Sequence, residues 1–240
     1  IVSYIAFSGI RRNEQSKVWI GMAREAAHQL GTPLSSLLAW IELLKYSKDQ
    51  PGVIEETLNE MSNDINRLQI ITTRFSKIGS MPEKERIDLN ILIEEVCVYF
   101  EKRLPHLGRK VEINRDFEDA IMVEVNKDLI AWVFENLLKN AAEAIEDKLG
   151  VINISTHCIP GKRAVVYLAD NGKGLSSVLR RQIFFPGFTT KKRGWGLGLS
   201  LARRIIEEYH RGKIYIKGTA VGKGTTFAVE IPITETGQKS

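Results

Sequence analysis

The sequence predicts a chain of two parts, an all-α antiparallel helical hairpin followed by an α+β two-layer sandwich. Three observations carry this. From Glu14 to about Ser47, and again from about Val53 to Ile78, apolar residues recur at steps of three and four, as in amphipathic helices. Only the polar stretch Ser47-Lys48-Asp49-Gln50-Pro51-Gly52 separates the two runs. Beyond Gly79-Ser80-Met81-Pro82 the pattern changes to helical stretches interleaved with short β-rich runs and glycine-dense loops.

The first helix has Trp19, Met22, Ala26, Leu30, Leu37, Ile41 and Leu44 as its stripe, with Pro33 expected to kink it just past His28. The second has Leu58, Met61, Ile65, Leu68, Ile71 and Phe75. Helices joined by so short a turn lie antiparallel. One hairpin with one stripe per helix leaves apolar surface in water, and pairing two hairpins into a four-helix bundle buries it. A symmetric homodimer is therefore expected. The hairpin is assigned to residues 14–79 and a linker to 80–86. Residues 1–13 begin with the apolar run Ile1 to Ile10, followed by Arg11-Arg12. Such a run is shorter than the roughly 17–25 residues a spanning helix needs. It is either the end of a transmembrane or signal-input helix, with the arginines on the cytoplasmic side, or a helical turn packed on protein.

The second domain is assigned to 87–233 and a loose tail to 234–240. Helix signals cover Asn90 to Leu104, Lys127 to Glu146, Ser177 to Arg181 and Leu199 to Tyr209. Strand signals cover Val111 to Ile113, Ile121 to Glu124, Val151 to Cys158, Ala164 to Asp170, Lys213 to Lys217 and Thr225 to Ile231. The expected product is a mixed sheet covered on one face.

Composition sets limits. A chain of 240 residues with 43% hydrophobic content buries a real core in one or two domains. Net charge is +5 and the pI about 9.1. Basic runs interleaved with aromatics are missing, so the balance points to a basic nucleotide mouth and an acidic protein partner rather than nucleic acid. Cys97 and Cys158 lie in apolar stretches without metal-ligand spacing and read as reduced core residues.

The chemistry is concentrated in three segments. Asp170-Asn171-Gly172-Lys173-Gly174 ends an apolar strand, and Gly194-Trp195-Gly196-Leu197-Gly198 runs into a helix. Glycine there lets backbone approach a phosphate, and a helix start supplies N–H groups for an anion. Upstream, Asn136 and Asn140 stand one turn apart on one helical face. An amide oxygen is a neutral, hard ligand suited to Mg²⁺, which is commonly held by few protein groups plus substrate phosphates. Together these segments read as a nucleotide and metal site.

Asn136 to Asn140, Asp170 to Gly174, Gly194 to Gly198 and Gly222-Lys223-Gly224-Thr225-Thr226-Phe227 resemble the N, G1, G2 and G3 boxes of the GHKL (Bergerat) ATP-binding fold. Ala27-His28-Gln29-Leu30-Gly31-Thr32-Pro33-Leu34-Ser35 is similar to the H box of sensor histidine kinases, and Phe184 to Arg193 to the F box leading into the lid. The resemblance runs from about Trp19 to Ile231. It implies ATP and Mg²⁺ as cofactors, with Asn140 on the metal and Asp170 accepting from the adenine amine. It also implies nucleotide contacts by Asn136, Gly172, Gly174, Gly194, Gly196, Leu197, Gly198 and Thr226. Lys191 is a candidate for the terminal phosphates, with Lys192 or Arg193 equally able on charge alone. The gyrase-like branch carries a water-activating glutamate where Asn136 stands, and Glu135 points about 100° away on a helix, so direct ATP hydrolysis is disfavoured.

By the same resemblance His28 is the phosphoacceptor. Neutral imidazole is a competent nucleophile, its ordinary pKa being about 6.5. The residue after the histidine is commonly Glu or Asp in the family; here it is Gln29. Its amide oxygen can accept from the imidazole but is not a useful base, and Glu25, one turn earlier, is the nearest substitute. Thr32 matches the threonine that orients water against a phosphorylated regulator. The implied partner is a response-regulator receiver domain, and the implied setting is the cytoplasmic portion of an inner-membrane sensor. Two other readings compete, a dimeric nucleotide-gated scaffold or phosphatase and a GHKL serine kinase or ATPase.

Overall fold

The computed structural model describes residues 23, 26–27, 29–47, 50–79, 83–104, 110–146, 149–159, 163–190 and 196–233. The expected membrane or input segment 1–13, the tail 234–240, Glu25, His28, Lys191, Lys192, Arg193 and Gly194 lie outside the described residues. The chain divides into two compact units, Ile1–Met81 and Pro82–Ser240.

In the first unit, helix α1 covers 29–46 and continues through Pro33. Helix α2 is Pro51–Gly79, with proline at its first position, where the missing N–H costs nothing. The turn between them is closed by Gln50 N donating to Ser47 O at 3.0 Å and Ile54 N to Gln50 O at 3.1 Å. Asp64, 3% exposed, makes a polar contact across the pair. Trp40 Nε1 donates to its Oδ2 at 3.1 Å and Arg67 Nη1 to its Oδ1 at 3.1 Å. A buried carboxylate with both oxygens engaged admits one axial register. Leu30, Leu37 and Leu44 of α1 and Met61, Leu68 and Ile71 of α2 are half-buried. Leu34, Leu38 and Ile41, with Leu58 and Ile65, form an adjoining apolar face that stays exposed.

The second unit contains strands β1 (Glu85–Asp88), β2 (Val111–Phe117), β3 (Met122–Val125), β4 (Gly150–Ile159), β5 (Arg163–Asp170), β6 (Lys213–Ala220) and β7 (Gly224–Pro232). Its helices are α3 (Leu89–Glu101), α4 (Lys127–Ala144), α5 (Ser177–Gln182) and α6 (Gly198–Arg204), the last continued by a π-helical turn, Ile205–Tyr209. Five strands form a sheet in the order β2-β4-β5-β7-β6, with β2 parallel to β4 and the other pairs antiparallel. The mixed sheet is as expected. Ile152, Ile154, Val166, Leu168, Ile214, Phe227, Val229 and Ile231 are buried on the helix side, among them Leu92, Ile93 and Val96 of α3 and Leu129, Val133 and Leu137 of α4. The other side carries Asn153, Ser155, Tyr167, Tyr215 and Lys217, and the Lys217 ammonium lies 3.5 Å from the Tyr167 ring centre.

Two expectations are corrected. The linker reading of 80–86 fails at its end, because Glu85 and Arg86 are strand residues paired with Val125 and Glu124 of β3. Ile87 is the lone apolar residue of that strand, so its identity comes from the distant partner and not from local pattern. Cys97 is buried in the core, and burial pushes its thiol up to about 12. Cys158 is exposed. It keeps the inward parity of β4 but lies past the last buried position, Thr156.

Both long sandwich helices begin on side-chain caps: Asp88 accepts from Asn90 N at 2.9 Å, and Asn126 Oδ1 from Leu129 N at 3.1 Å. Asn126 is held in turn by His210, which is 3% exposed. Asn126 N donates to His210 Nε2 at 3.0 Å, which places the imidazole proton on Nδ1, 2.7 Å from Ile205 O. Burial lowers the pKa of His210 from its ordinary 6.5, with the Lys84 charge adding to the effect.

Replacing Trp40 by Phe leaves a buried carboxylate oxygen without its donor, and should lower unfolding stability of the first unit by roughly 1–3 kcal/mol; chemical denaturation of the wild type and variant measures it. For His210 the unfolded chain binds a proton that the folded chain refuses. Stability is therefore flat above about pH 6.5, falls as pH drops below it, and levels once the lower folded pKa is passed. Thermal melts across that range should show the fall in the wild type and its absence in His210→Gln.

Candidate nucleotide site

The end of β5, the end of α4 and the β6–β7 turn meet at one junction, and the start of α6 meets α4 eight residues earlier, at Asn136. Asp170 closes β5 and is 8% exposed. Its Oδ1 accepts from Gly172 N at 2.8 Å, a short Asx turn that points the following loop back toward α4. Lys173 N then donates to Ala144 O at 2.9 Å, so the loop satisfies a carbonyl that the helix end leaves open. Asn171 fastens the same loop to the sheet: Val151 N donates to its Oδ1 at 3.0 Å and its Nδ2 donates to Leu149 O at 3.2 Å.

Glycine is obligatory at two points of this junction. Gly174 has φ +66°, and a Cβ there would stand 1.9 Å from Ala220 O. Gly224 has φ +94°, and a Cβ would stand 1.8 Å from Asp170 O. The β6–β7 turn is thus pressed backbone to backbone against the Asp170 loop. Thr219 Oγ1 completes the contact by accepting from Leu175 N at 2.9 Å and donating to Gly224 O at 3.0 Å.

Strand register separates two neighbouring threonines. Asp170 lies opposite Thr225, and Ala169 opposite Thr226. Directly opposed residues share a face, so Thr225 stands on the Asp170 side and Thr226 on the other side of the sheet. Thr225 is 5% exposed, with its hydroxyl 3.0 Å from that of Thr219. Counting back in twos from the core residue Phe227 would have found Thr225. Thr219 and Asn171 were missed altogether, since their roles come from long-range hydrogen bonds without a local signal.

α4 carries both asparagines. Asn136 Nδ2 donates to Trp132 O at 3.0 Å, which turns Oδ1 toward the start of α6. A Cβ on Gly198 would lie 3.1 Å from that oxygen. The glycine therefore lets α6 begin directly against Asn136. Leu197, 5% exposed, precedes α6, and Ser200 Oγ donates to its carbonyl at 2.9 Å. Gly196 is bonded through its carbonyl to Gly187 N at 3.2 Å, tying this loop to the segment after α5. Phe184 packs edge-on to Phe227 at 6.4 Å, whereas Phe185 is exposed.

Of the expected residues, the fold gathers Asp170, Gly172 and Gly174 where β5 meets the end of α4, and sets Gly198 against Asn136 eight residues earlier on that helix. Gln29 and Thr32 lie on α1 in the other unit, Gln29 half-buried and Thr32 exposed. Among the described residues there is no cluster of three or more His, Cys, Asp or Glu side chains able to hold a metal ion. A divalent ion here would take an amide oxygen from α4 and otherwise phosphate and water, a donor set that fits Mg²⁺. The tight glycine contacts and buried Asp170 at the mouth fit an adenine nucleotide.

Residues 125–235 match the family of histidine kinase-, DNA gyrase B- and HSP90-like ATPases. The catalytic domain of the histidine kinase ThkA is 35% identical with a TM-score of 0.56, covering 63% of this chain and 97% of that one. ThkA in complex with the response regulator TrrA is 28% identical with a TM-score of 0.59, covering 98% of this chain and 67% of that one. Among curated proteins, sporulation kinase D of Bacillus subtilis is 31% identical over 88% of this chain and 41% of its own length. The histidine-protein kinase AtoS of Escherichia coli is 28% identical over 89% and 35% respectively. The chain thus spans less than half of these two relatives. With a G1-type Asp170 loop, paired asparagines on α4 and a glycine-started α6 on a mixed five-stranded sheet, the chain belongs to the sensor histidine kinase family and carries its GHKL catalytic domain.

Proposed function

We propose that this chain is the kinase core of a two-component sensor, binding Mg·ATP in the second unit and phosphorylating His28 in the first. The observation that supports it is a pair of contacts on α4, the Asp170–Gly174 loop against its last carbonyl and the glycine-started α6 against Asn136. Asp170 would accept from the adenine amine, with Thr225 beside it on the same face. Asn140 would hold Mg²⁺, which when bound screens the phosphate charge against the incoming nucleophile. Gly196, Leu197 and Gly198 would line the phosphates with backbone N–H groups, and Lys191 and Gly194 would belong to the lid. A neutral nitrogen of His28 attacks the γ-phosphorus; an N–P bond forms, the bond to the β,γ-bridging oxygen breaks and ADP leaves.

The phosphoryl group then passes to an aspartate of a response-regulator receiver. The similarity to ThkA, whose structure was solved with the response regulator TrrA, supports that partner. The exposed face of Leu34, Leu38, Ile41, Leu58 and Ile65 supports an antiparallel hairpin that pairs with a second copy as a four-helix bundle. The setting would be the cytoplasmic side of a membrane sensor; among the described residues no helix is long and apolar enough to cross a membrane. Gln29 favours a second reading, in which the balance lies toward dephosphorylating the regulator, because its amide cannot take the proton released from His28.

Asp170→Asn and Asn140→Ala should each abolish labelling of His28 by γ-labelled ATP while the circular-dichroism melt stays near wild type. Labelling at the native rate by either variant would displace the site. Gln29→Glu should accelerate labelling, toward the upper range of about 10²–10⁴-fold that general bases supply. Thr32→Ala should slow regulator dephosphorylation and spare labelling. Both rates measured on both variants decide between the kinase and phosphatase readings.

A further inference from the structure

His210 has no part in the nucleotide contacts above, yet it joins the two helices that carry them. Asn126, whose N–H it accepts, caps the start of α4, the helix of Asn136 and Asn140. Ile205, whose carbonyl it binds, opens the π turn that continues α6. At the other end of the pair, Gly198 begins α6 against Asn136, with only 3.1 Å between its would-be Cβ and the amide oxygen. α4 and the α6–π helix therefore run antiparallel and are tied at two levels, by His210 on Asn126 and by Gly198 on Asn136. An axial slip of a single residue, about 1.5 Å, would misplace the Gly196–Gly198 loop relative to both asparagines. Asn126 also donates through Nδ2 to Glu83 O at 2.8 Å, so the chain entering this unit is pinned at the same point.

We propose that His210 is a positioning residue for nucleotide binding, its neutral imidazole setting the axial register of α6 against α4. The proposal rests on the ATP-site reading above. The imidazole does this as an acceptor at Nε2 and a donor at Nδ1. Protonated, Nε2 would present a hydrogen to the Asn126 amide, donor against donor. Lys84, from the segment before β1, is the charge that acts on the ring from a neighbouring element, and it too opposes protonation. A π turn placed here fits the role, since such turns are insertions that re-aim a helix end, frequently at functional sites.

The test is Mg·ATP affinity by isothermal titration on the whole chain, below each protein's unfolding transition, for wild type, Asp170→Asn, His210→Leu and His210→Gln. His210→Leu leaves the buried Asn126 amide unpaired and should weaken binding about tenfold. His210→Gln can offer Oε1 near the place of Nε2 and should recover most of that loss. As pH falls from about 7.5 to well below the ordinary imidazole value of about 6.5, into the range where the folded ring takes up its proton, wild-type affinity should fall relative to His210→Gln; the titration of ATP itself is common to both and cancels in the ratio. A folded His210→Leu chain that binds as wild type overturns the proposal. If that variant does not fold, parallel pH profiles for wild type and His210→Gln overturn it. Binding lost in Asp170→Asn but indifferent to every His210 change rejects the positioning role and leaves the ATP site standing. No binding by the wild type removes the ATP-site reading, and this proposal with it.

Discussion

The second unit depends on a backbone-to-backbone contact, Gly224 against the carbonyl of Asp170, in which even a methyl group has no room. Side chains usually set the spacing between protein segments, at four ångströms or so between atoms. Here the spacing is set by their absence. Because β5 ends where β7 begins, the last residue of one strand stands opposite the second of the other, Asp170 opposite Gly224's neighbour Thr225. Everything at the mouth of the site follows from that pairing: which threonine stands beside Asp170, where the Thr219 hydroxyl sits, and how far the Asp170 loop reaches toward α4.

α4 is the second fixed element. Its inner face is fully buried, with Leu129, Ile130, Val133, Leu137 and Leu138 all at 0% exposure. Its flank carries the asparagines, and its last carbonyl, that of Ala144, meets the Asp170 loop. A helix so embedded cannot translate without opening the core, so the groups mounted on it are rigid by packing. The described residues just before α6 are held by the Gly187–Gly196 bond and the Gly198–Asn136 contact.

Much of this was legible in the amino-acid order. Strand alternation located Ile152, Ile154, Val166 and Leu168, and the glycine spacing located the loops, because both signals are local and follow from backbone sterics. Asp170 could be read because it ends an apolar run. What escaped depends on partners far away in sequence. β1 is charged and exists through its pairing with β3. Thr225 rather than Thr226 shares the face of Asp170 through strand register, which a box-level likeness does not resolve. His210 gave no cue, since its meaning lies in Asn126, far upstream. Cys158 misled because its apolar neighbours say nothing of where the core ends.

The sheet order β2-β4-β5-β7-β6 also bears on how the molecule is made. β5 must find β7 across an intervening stretch that includes α5, α6 and the π turn, and β2 must find β4 across β3 and α4. Each pairing closes a long loop before any contact rewards it, whereas α1 and α2 meet across a turn of a few residues. Search times scale with such loop closures. During synthesis the helical unit emerges ahead of the sheet and, closed by a short turn, takes shape before it. The sheet can close only once β7 is available to slot between β5 and β6.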